Sequence, residues 1–231
     1  MRAYRNGKYY GVSCLAMISI TLLCVSMTSK NWLYSVLKRR SNNEEFFAGN
    51  KTFGLFRGCQ YKRYGQFVNY RIRCFNVFTE LKAIDSSTPA YITVSCMCGS
   101  LGCLLIVTYV GIYIETVKSL VESLVINLLL ILNTSALLFD FVALTSYSYL
   151  YHTKLKKTTL QKEEILGGFS SKTELEQSFW LCSSSPIFIV LNMIYILVLC
   201  RTQANRTTRR DVSNSSTSWK KGDNMRSPMI Y

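Results

Sequence analysis

The sequence predicts an all-α integral membrane protein: a four-helix transmembrane bundle with a β-hairpin in a long outer loop. Three observations predict it. Four uncharged runs, Tyr9–Ser29, Ser86–Ile114, Ser123–Phe139 and Gln177–Cys200, are 21, 29, 17 and 24 residues long. A helix rising about 1.5 Å per residue needs roughly 20 apolar residues to cross the hydrocarbon core. Charged residues make up only 17% of the 231, against about a quarter in soluble domains. Most of that charge flanks the runs, so the net +14 reads as contact with lipid headgroups rather than a nucleic-acid surface. The third observation is a stretch rich in aromatic and β-branched residues around Cys59 and Cys74, between the first two runs. No segment is left long enough for a separate soluble enzyme domain.

Taken in order, residues 1–8 form a short segment carrying Arg2, Arg5 and Lys8. Residues 9–29 form the first span. A signal peptide is the rival reading, but an uncleaved span is expected, because the apolar run exceeds the usual core of about 7–15 residues and no Ala-x-Ala site follows. Residues 30–90 form the first extracellular loop, which holds eleven basic and four acidic residues. At about 60 residues it lies near the length where the positive-inside rule loses force. The sequon Asn50-Lys51-Thr52 breaks the tie, since N-glycosylation occurs on the lumenal side. Tail sequons at Asn205 and Asn214 vote the other way. The basic ends argue for cytoplasmic termini: residues 201–231 carry seven basic and two acidic residues.

The second span, residues 91–114, places Ser95, Gly99 and Gly102 on one helical face. Helices in lipid associate through close backbone approach at small residues, so this face is expected to pack. After a cytoplasmic turn at 115–122, the third span (123–147) carries Asn127, Asn133, Thr134 and Ser135, all expected to find partners inside a bundle. Asp140 is the one acid within a span. An intramembrane carboxylate is a functional candidate. The alternative is an interfacial or packing residue, because it lies about 25 Å along a helix starting at Ser123. Residues 148–176 form the second extracellular loop, with a turn at Gly167-Gly168. The fourth span, 177–200, contains Ser183, Ser184, Ser185 and Pro186, a pattern that predicts a kinked or late-starting helix. Residues 201–231, rich in Ser, Thr, Arg and Asn, read as a disordered basic tail.

The chemistry of common enzymes is sparse. His152 is the single histidine, so triad or Cys/His catalysis would hang on it alone. Cys96-Met97-Cys98 lies within an apolar run, where cysteine behaves as a small hydrophobe. No phosphate-binding glycine loop is present. The expectation is no enzyme, no cofactor, no metal site and no evident small-molecule substrate. In an oxidising lumen, Cys59 and Cys74 are expected to pair, closing a loop of ~15 residues that would contribute about 3 kcal/mol. The flanks Phe53–Phe56 and Tyr70–Phe78 suit short strands, which makes a stapled hairpin.

Trp32, then Gly54-Leu55-Phe56 followed by Cys59 and Cys74, resembles the W…GLW…C…C pattern of the claudin superfamily, with Phe as the middle aromatic. Within it the chain is most similar to the clarins. Phe53-Gly54-Leu55-Phe56-Arg57-Gly58, a fourth span opening on Ser178-Phe179-Trp180, Leu191-Asn192 further in, and Asn50 just before the Gly-Leu-Phe motif all match that layout. The chain departs from it in lacking a proline across Ile112–Ser119 and in its more claudin-like cysteine pair. The resemblance implies a four-span bundle with a small extracellular β-sheet. It also implies a plasma-membrane scaffold or regulator linked to sensory-cell structure, actin-rich protrusions and synapses.

Two rival functions stay open. One is a claudin-like junction barrier or pore, in which Lys62, Arg63, Arg71 and Arg73 would tune ion selection. The other is an auxiliary subunit of an ion channel. A transporter or membrane enzyme has only Asp140 in its favour. The expected partners are the bilayer and membrane or scaffold proteins. Met229-Ile230-Tyr231 matches a C-terminal ligand for PDZ domains, which add such a peptide as an extra strand.

Overall fold

The computed structural model describes residues 8–41, 44–64, 69–83, 87–117, 122–155 and 169–223. In chain order these are helix α1 (Lys8–Thr28), strands β1 (Leu33–Ser41), β2 (Glu44–Phe53), β3 (Arg57–Tyr64) and β4 (Asn69–Asn76), and the short helix α2 (Val77–Ala83). Helices α3 (Ser87–Val117) and α4 (Glu122–Leu150) follow, the latter extended by one π turn at Tyr151–Leu155. Strand β5 (Phe169–Leu175) and helix α5 (Gln177–Asp223) complete the chain. Four segments are long and apolar enough to cross a membrane: Tyr9–Thr28, Ser87–Glu115, Leu124–Leu155 and Gln177–Thr202.

These helices are apolar nearly all round, so hydropathy does not say which face turns inward. Burial does. One buried row on α1 runs through Tyr9, Val12, Ala16, Ser19, Leu23 and Ser26, with Ser13 and Met27 buried beside it. On α3 such a row is Ala90, Thr93, Met97, Ser100, Leu104 and Val107, and on α4 Leu129, Asn133, Ala136, Asp140, Ala143 and Tyr147. On α5 it is Ser178, Cys182, Ser185, Ile189, Asn192 and Ile196. Every series alternates steps of three and four. That is the seven-residue spacing, about 3.5 residues per turn, by which packed helices keep one seam facing their neighbours. The helices form a ring in which α1 and α4 each pack on both α3 and α5.

Many seam residues are small or polar, and the cross-helix bonds follow from that. Ser13 Oγ donates to the Thr108 carbonyl at 3.3 Å, and Thr93 Oγ1 to the Ala143 carbonyl at 3.4 Å. The expected Ser95/Gly99/Gly102 face is not the seam. Gly99 lies against the Phe139 ring, but Ser95 points outward and nothing lies within 4 Å of where a Gly102 side chain would sit. The glycines that permit close approach are instead Gly11, against Tyr195, and Gly111, against Ser13. Asn127 and Thr134 also face outward. Thr134 satisfies its hydroxyl on its own helix, at the Leu130 carbonyl, so it needs no interhelical partner.

One five-stranded antiparallel sheet, in the order β4-β3-β2-β1-β5, caps the bundle at the α1 C-terminal end. The hairpin expected around Cys59 and Cys74 is β3–β4, and it belongs to a small sheet of the kind the resemblance implies, with β1, β2 and β5 beyond it. The predicted strand at Phe53–Phe56 ends at Phe53, because Gly54–Phe56 turns the chain into β3. Likewise β4 stops at Asn76, where Val77 opens α2. Between β1 and β2 the register slips at Leu37/Lys38, leaving Ala48 without an opposite residue. Gly49, at φ 146°, supplies the backbone conformation of that bulge.

The fourth helix starts on time at Gln177 and runs unbroken through Pro186. Ser183 and Ser184 bond back to the Phe179 and Leu181 carbonyls. Where a disordered tail is expected from residue 201, α5 continues to Asp223. Between Thr202 and Lys221 there is no glycine or proline to stop it.

Candidate functional site

The bundle and the sheet meet at a junction centred on Trp32. Helix α1 ends at Thr28, leaving its last carbonyls without helical partners. The Ser29 amide takes the Val25 carbonyl at 3.2 Å, and the Trp32 indole N–H donates to the Ser26 carbonyl at 2.6 Å. The Trp32 main chain joins both sheet neighbours: its N–H donates to Phe53 O at 2.8 Å, and its carbonyl accepts from Glu176 N at 3.0 Å. Its ring is fully buried, edge-on to Tyr147 at 4.6 Å and to Phe179 at 6.0 Å. One residue thus ties the end of α1 to β2, α4 and the entry of α5 through its main chain and its ring.

The other motif residues divide between this junction and the surface. Ser178 is buried, donating to Ser29 Oγ at 2.7 Å, while its carbonyl accepts from Ser26 Oγ at 2.7 Å. Gly54 donates its N–H to Arg57 O at 2.9 Å and lies so close to the Ser29 and Lys30 backbone that a side chain would collide with it. Leu55 is buried and lines a small apolar hollow with Val77, Leu81, Tyr147 and Leu150. Phe56 and Trp180 face outward, Trp180 at 61% exposure. An outward tryptophan one turn into an apolar helix has the character of an interfacial anchor.

Cys59 and Cys74 sit directly opposite each other in β3 and β4 and are joined by a disulfide. Asn50, half-exposed on β2, donates from its amide to Tyr34 Oη at 3.2 Å. The middle residue of its sequon, Lys51, is fully buried and forms an ion pair with Glu80 of α2. The Lys51 ammonium lies 5.0 Å from the ring centres of both Phe53 and Phe75. Sequence reasoning missed this pair. Its signal was present, since Lys51 shares strand parity with the inward Phe53. Arg73 is exposed, whereas Lys62, Arg63 and Arg71 are placed only by their strand backbone. On the exposed β5 surface, hydrogen bonding and then charge from Glu174 hold the Lys172 ammonium above its ordinary range.

Asp140 is 1% exposed, inside the bundle rather than near its rim. Its partner Ser185 lies eight residues, about 12 Å, into α5. Ser185 Oγ donates to Asp140 Oδ2 at 3.1 Å. Ser100 on α3 neighbours the same carboxyl, but Ser100 Oγ and Asp140 Oδ1 each lack a hydrogen-bond partner among the described residues. Seven residues away on each helix, Asn192 Nδ2 donates to Asn133 Oδ1 at 3.1 Å. The two contacts form a ladder along the α4–α5 seam. Met229, Ile230 and Tyr231, Gly167 and Gly168, and residues 1–7 lie outside the described residues. His152 is exposed in the π turn, beside the Tyr151 ring.

These features define a bundle of four helices, each apolar enough to cross a membrane, capped by a disulfide-bonded sheet. No protein-family model matches the chain, and no curated protein matches it.

Proposed function

We propose that the chain is a non-enzymatic, four-span plasma-membrane scaffold or regulator of the clarin type, with cytoplasmic termini. In this reading it organises membrane and actin-linked or synaptic complexes of sensory-type cells. The observation that carries the reading is the convergence of Trp32, Gly54, Leu55, Ser178 and Phe179 on one junction. These residues are scattered in sequence and were singled out by resemblance alone, yet they share one structural task. The C-terminal Met229-Ile230-Tyr231 would then recruit a PDZ scaffold by strand addition. Deleting Met229–Tyr231, or appending one glycine, is expected to leave surface delivery intact and lose that scaffold from pull-downs. Unchanged partner recovery from both variants would remove the scaffold-linking role.

A second reading, a claudin-like junction protein, is favoured by the apolar side chains the sheet leaves exposed, Phe46, Phe47 and Ile72. It predicts that expression in an epithelial monolayer raises or selectively lowers transepithelial resistance, and that Arg73→Glu changes the ion preference. A monolayer unaffected by the protein would remove it.

A further inference from the structure

An open cleft of about 770 Å³ lies between the end of α1 and the disulfide hairpin. Lys30 and Arg57 both line it, both are exposed, and neither forms an ion pair with any described residue. Beside them are the Asn31 amide and the Ser29 hydroxyl, while the Cys59–Cys74 bridge and the Phe75 ring make an apolar wall. Among the described residues, no acidic side chain lines the cleft. Its position is as telling as its charge. Thr28, on its rim, is the last residue of the first apolar helix, and Cys24 and Val25, one turn below, face outward.

We propose that this cleft binds the phosphate headgroup of a phospholipid from the leaflet on the sheet side. The inference rests on the membrane-spanning reading. Arg57 offers a planar fork suited to two phosphate oxygens, and Lys30 adds a compact charge beside it. Asn31 contributes a neutral donor. The acyl chains run down the outward face of α1, past Val25 and Cys24, so headgroup and tails are recognised by contiguous surfaces. Two like charges lining one cleft repel each other, and a phosphodiester offsets that repulsion.

The test is native mass spectrometry of the detergent-purified full chain titrated with dioleoyl phosphatidylglycerol. Wild-type protein is expected to retain one lipid, and Lys30→Gln/Arg57→Gln to lower its occupancy at least tenfold. Lys172→Gln, which removes an exposed cation elsewhere, should leave occupancy unchanged. Equal retention by the double variant would overturn the proposal. Two arms on the unmodified chain need no variant to fold. Dioleoylglycerol, which lacks the phosphate, should not be retained. Inorganic phosphate at the lipid's concentration should not displace it; if it does, the cleft is a site for soluble anions and the lipid assignment falls. Resistance to alkaline carbonate extraction tests the spanning reading separately, so a protein that resists extraction yet holds no lipid refutes the cleft alone.

Discussion

The Lys51–Glu80 pair invites the sharpest perturbation. Lys51 is fully buried and Glu80 nearly so, between the sheet and α2, with the ammonium held over Phe53 and Phe75. Lys51→Met removes the cation but leaves the nearly buried Glu80 carboxylate without it. Breaking a buried pair from one side costs about 3–5 kcal/mol, whereas replacing both partners by apolar residues is often close to neutral. At about 1.4 kcal/mol per tenfold, amide exchange in β2 and β3 should accelerate on the order of a hundred- to several-thousand-fold in Lys51→Met. In Lys51→Met/Glu80→Leu it should return most of the way to wild type. The cycle also controls for topology, because Lys51→Met keeps the Asn50-x-Thr52 sequon. Substituting Lys172, whose ion pair with Glu174 is exposed, should leave exchange unchanged. A single variant with wild-type exchange, or a double variant as fast as the single, would refute the view that desolvation of the unpaired charge dominates.

Four further outcomes are expected. Peptide-N-glycosidase should collapse the mobility of wild-type protein but not of Asn50→Gln; a shift lost only in Asn205→Gln or Asn214→Gln inverts the orientation. Cys59→Ser should cost about 3 kcal/mol in loop stability and retain the protein in the secretory pathway, with mapping of a non-reduced digest reporting whether the bridge exists. Gly49→Val should destabilise the β1–β2 bulge by about 1–3 kcal/mol, read as faster proteolysis near the hairpin tip. Asn133→Leu should weaken the α4–α5 seam by roughly 1 kcal/mol, and thermal unfolding of Asn133→Leu/Asn192→Leu should be no worse than that of the single variant.

The four spans were legible because length and lack of charge suffice to find them, and Cys59 and Cys74 because two cysteines stood outside the runs. The facing of the spans was not. Ser95, Gly99 and Gly102 stand out as a local cluster of small residues, but the true seam of α3 is the phase Thr93, Met97, Ser100, Leu104. That phase mixes polar, sulfur-containing and branched side chains, so no scale of hydrophobicity separates it from the outward face. The sheet was half legible for a related reason. Lys38, Arg39, Glu44 and Glu45 make β1 and β2 read as a charged loop, although the chain is extended and paired throughout. Strand β5 could not be found locally at all, since its only reason to be a strand is the exposed edge of β1, some 130 residues earlier.

That last pairing gives the chain an order of assembly. Strands β1 to β4 and the disulfide can form as soon as residue 76 has been made. The free edge of β1, from Leu33 to Arg39, must wait until residues 169–175 have been made. During that interval a row of unpaired main-chain groups stands beside the aromatic side chains of the hairpin tip, an invitation to pair with the wrong strand. Glu176 and Ser178 then hydrogen-bond to Trp32 and Asn31 as the last helix arrives. A nascent chain truncated before Phe169 would therefore carry an oxidised hairpin and an open edge together, a combination that marks the molecule as unfinished.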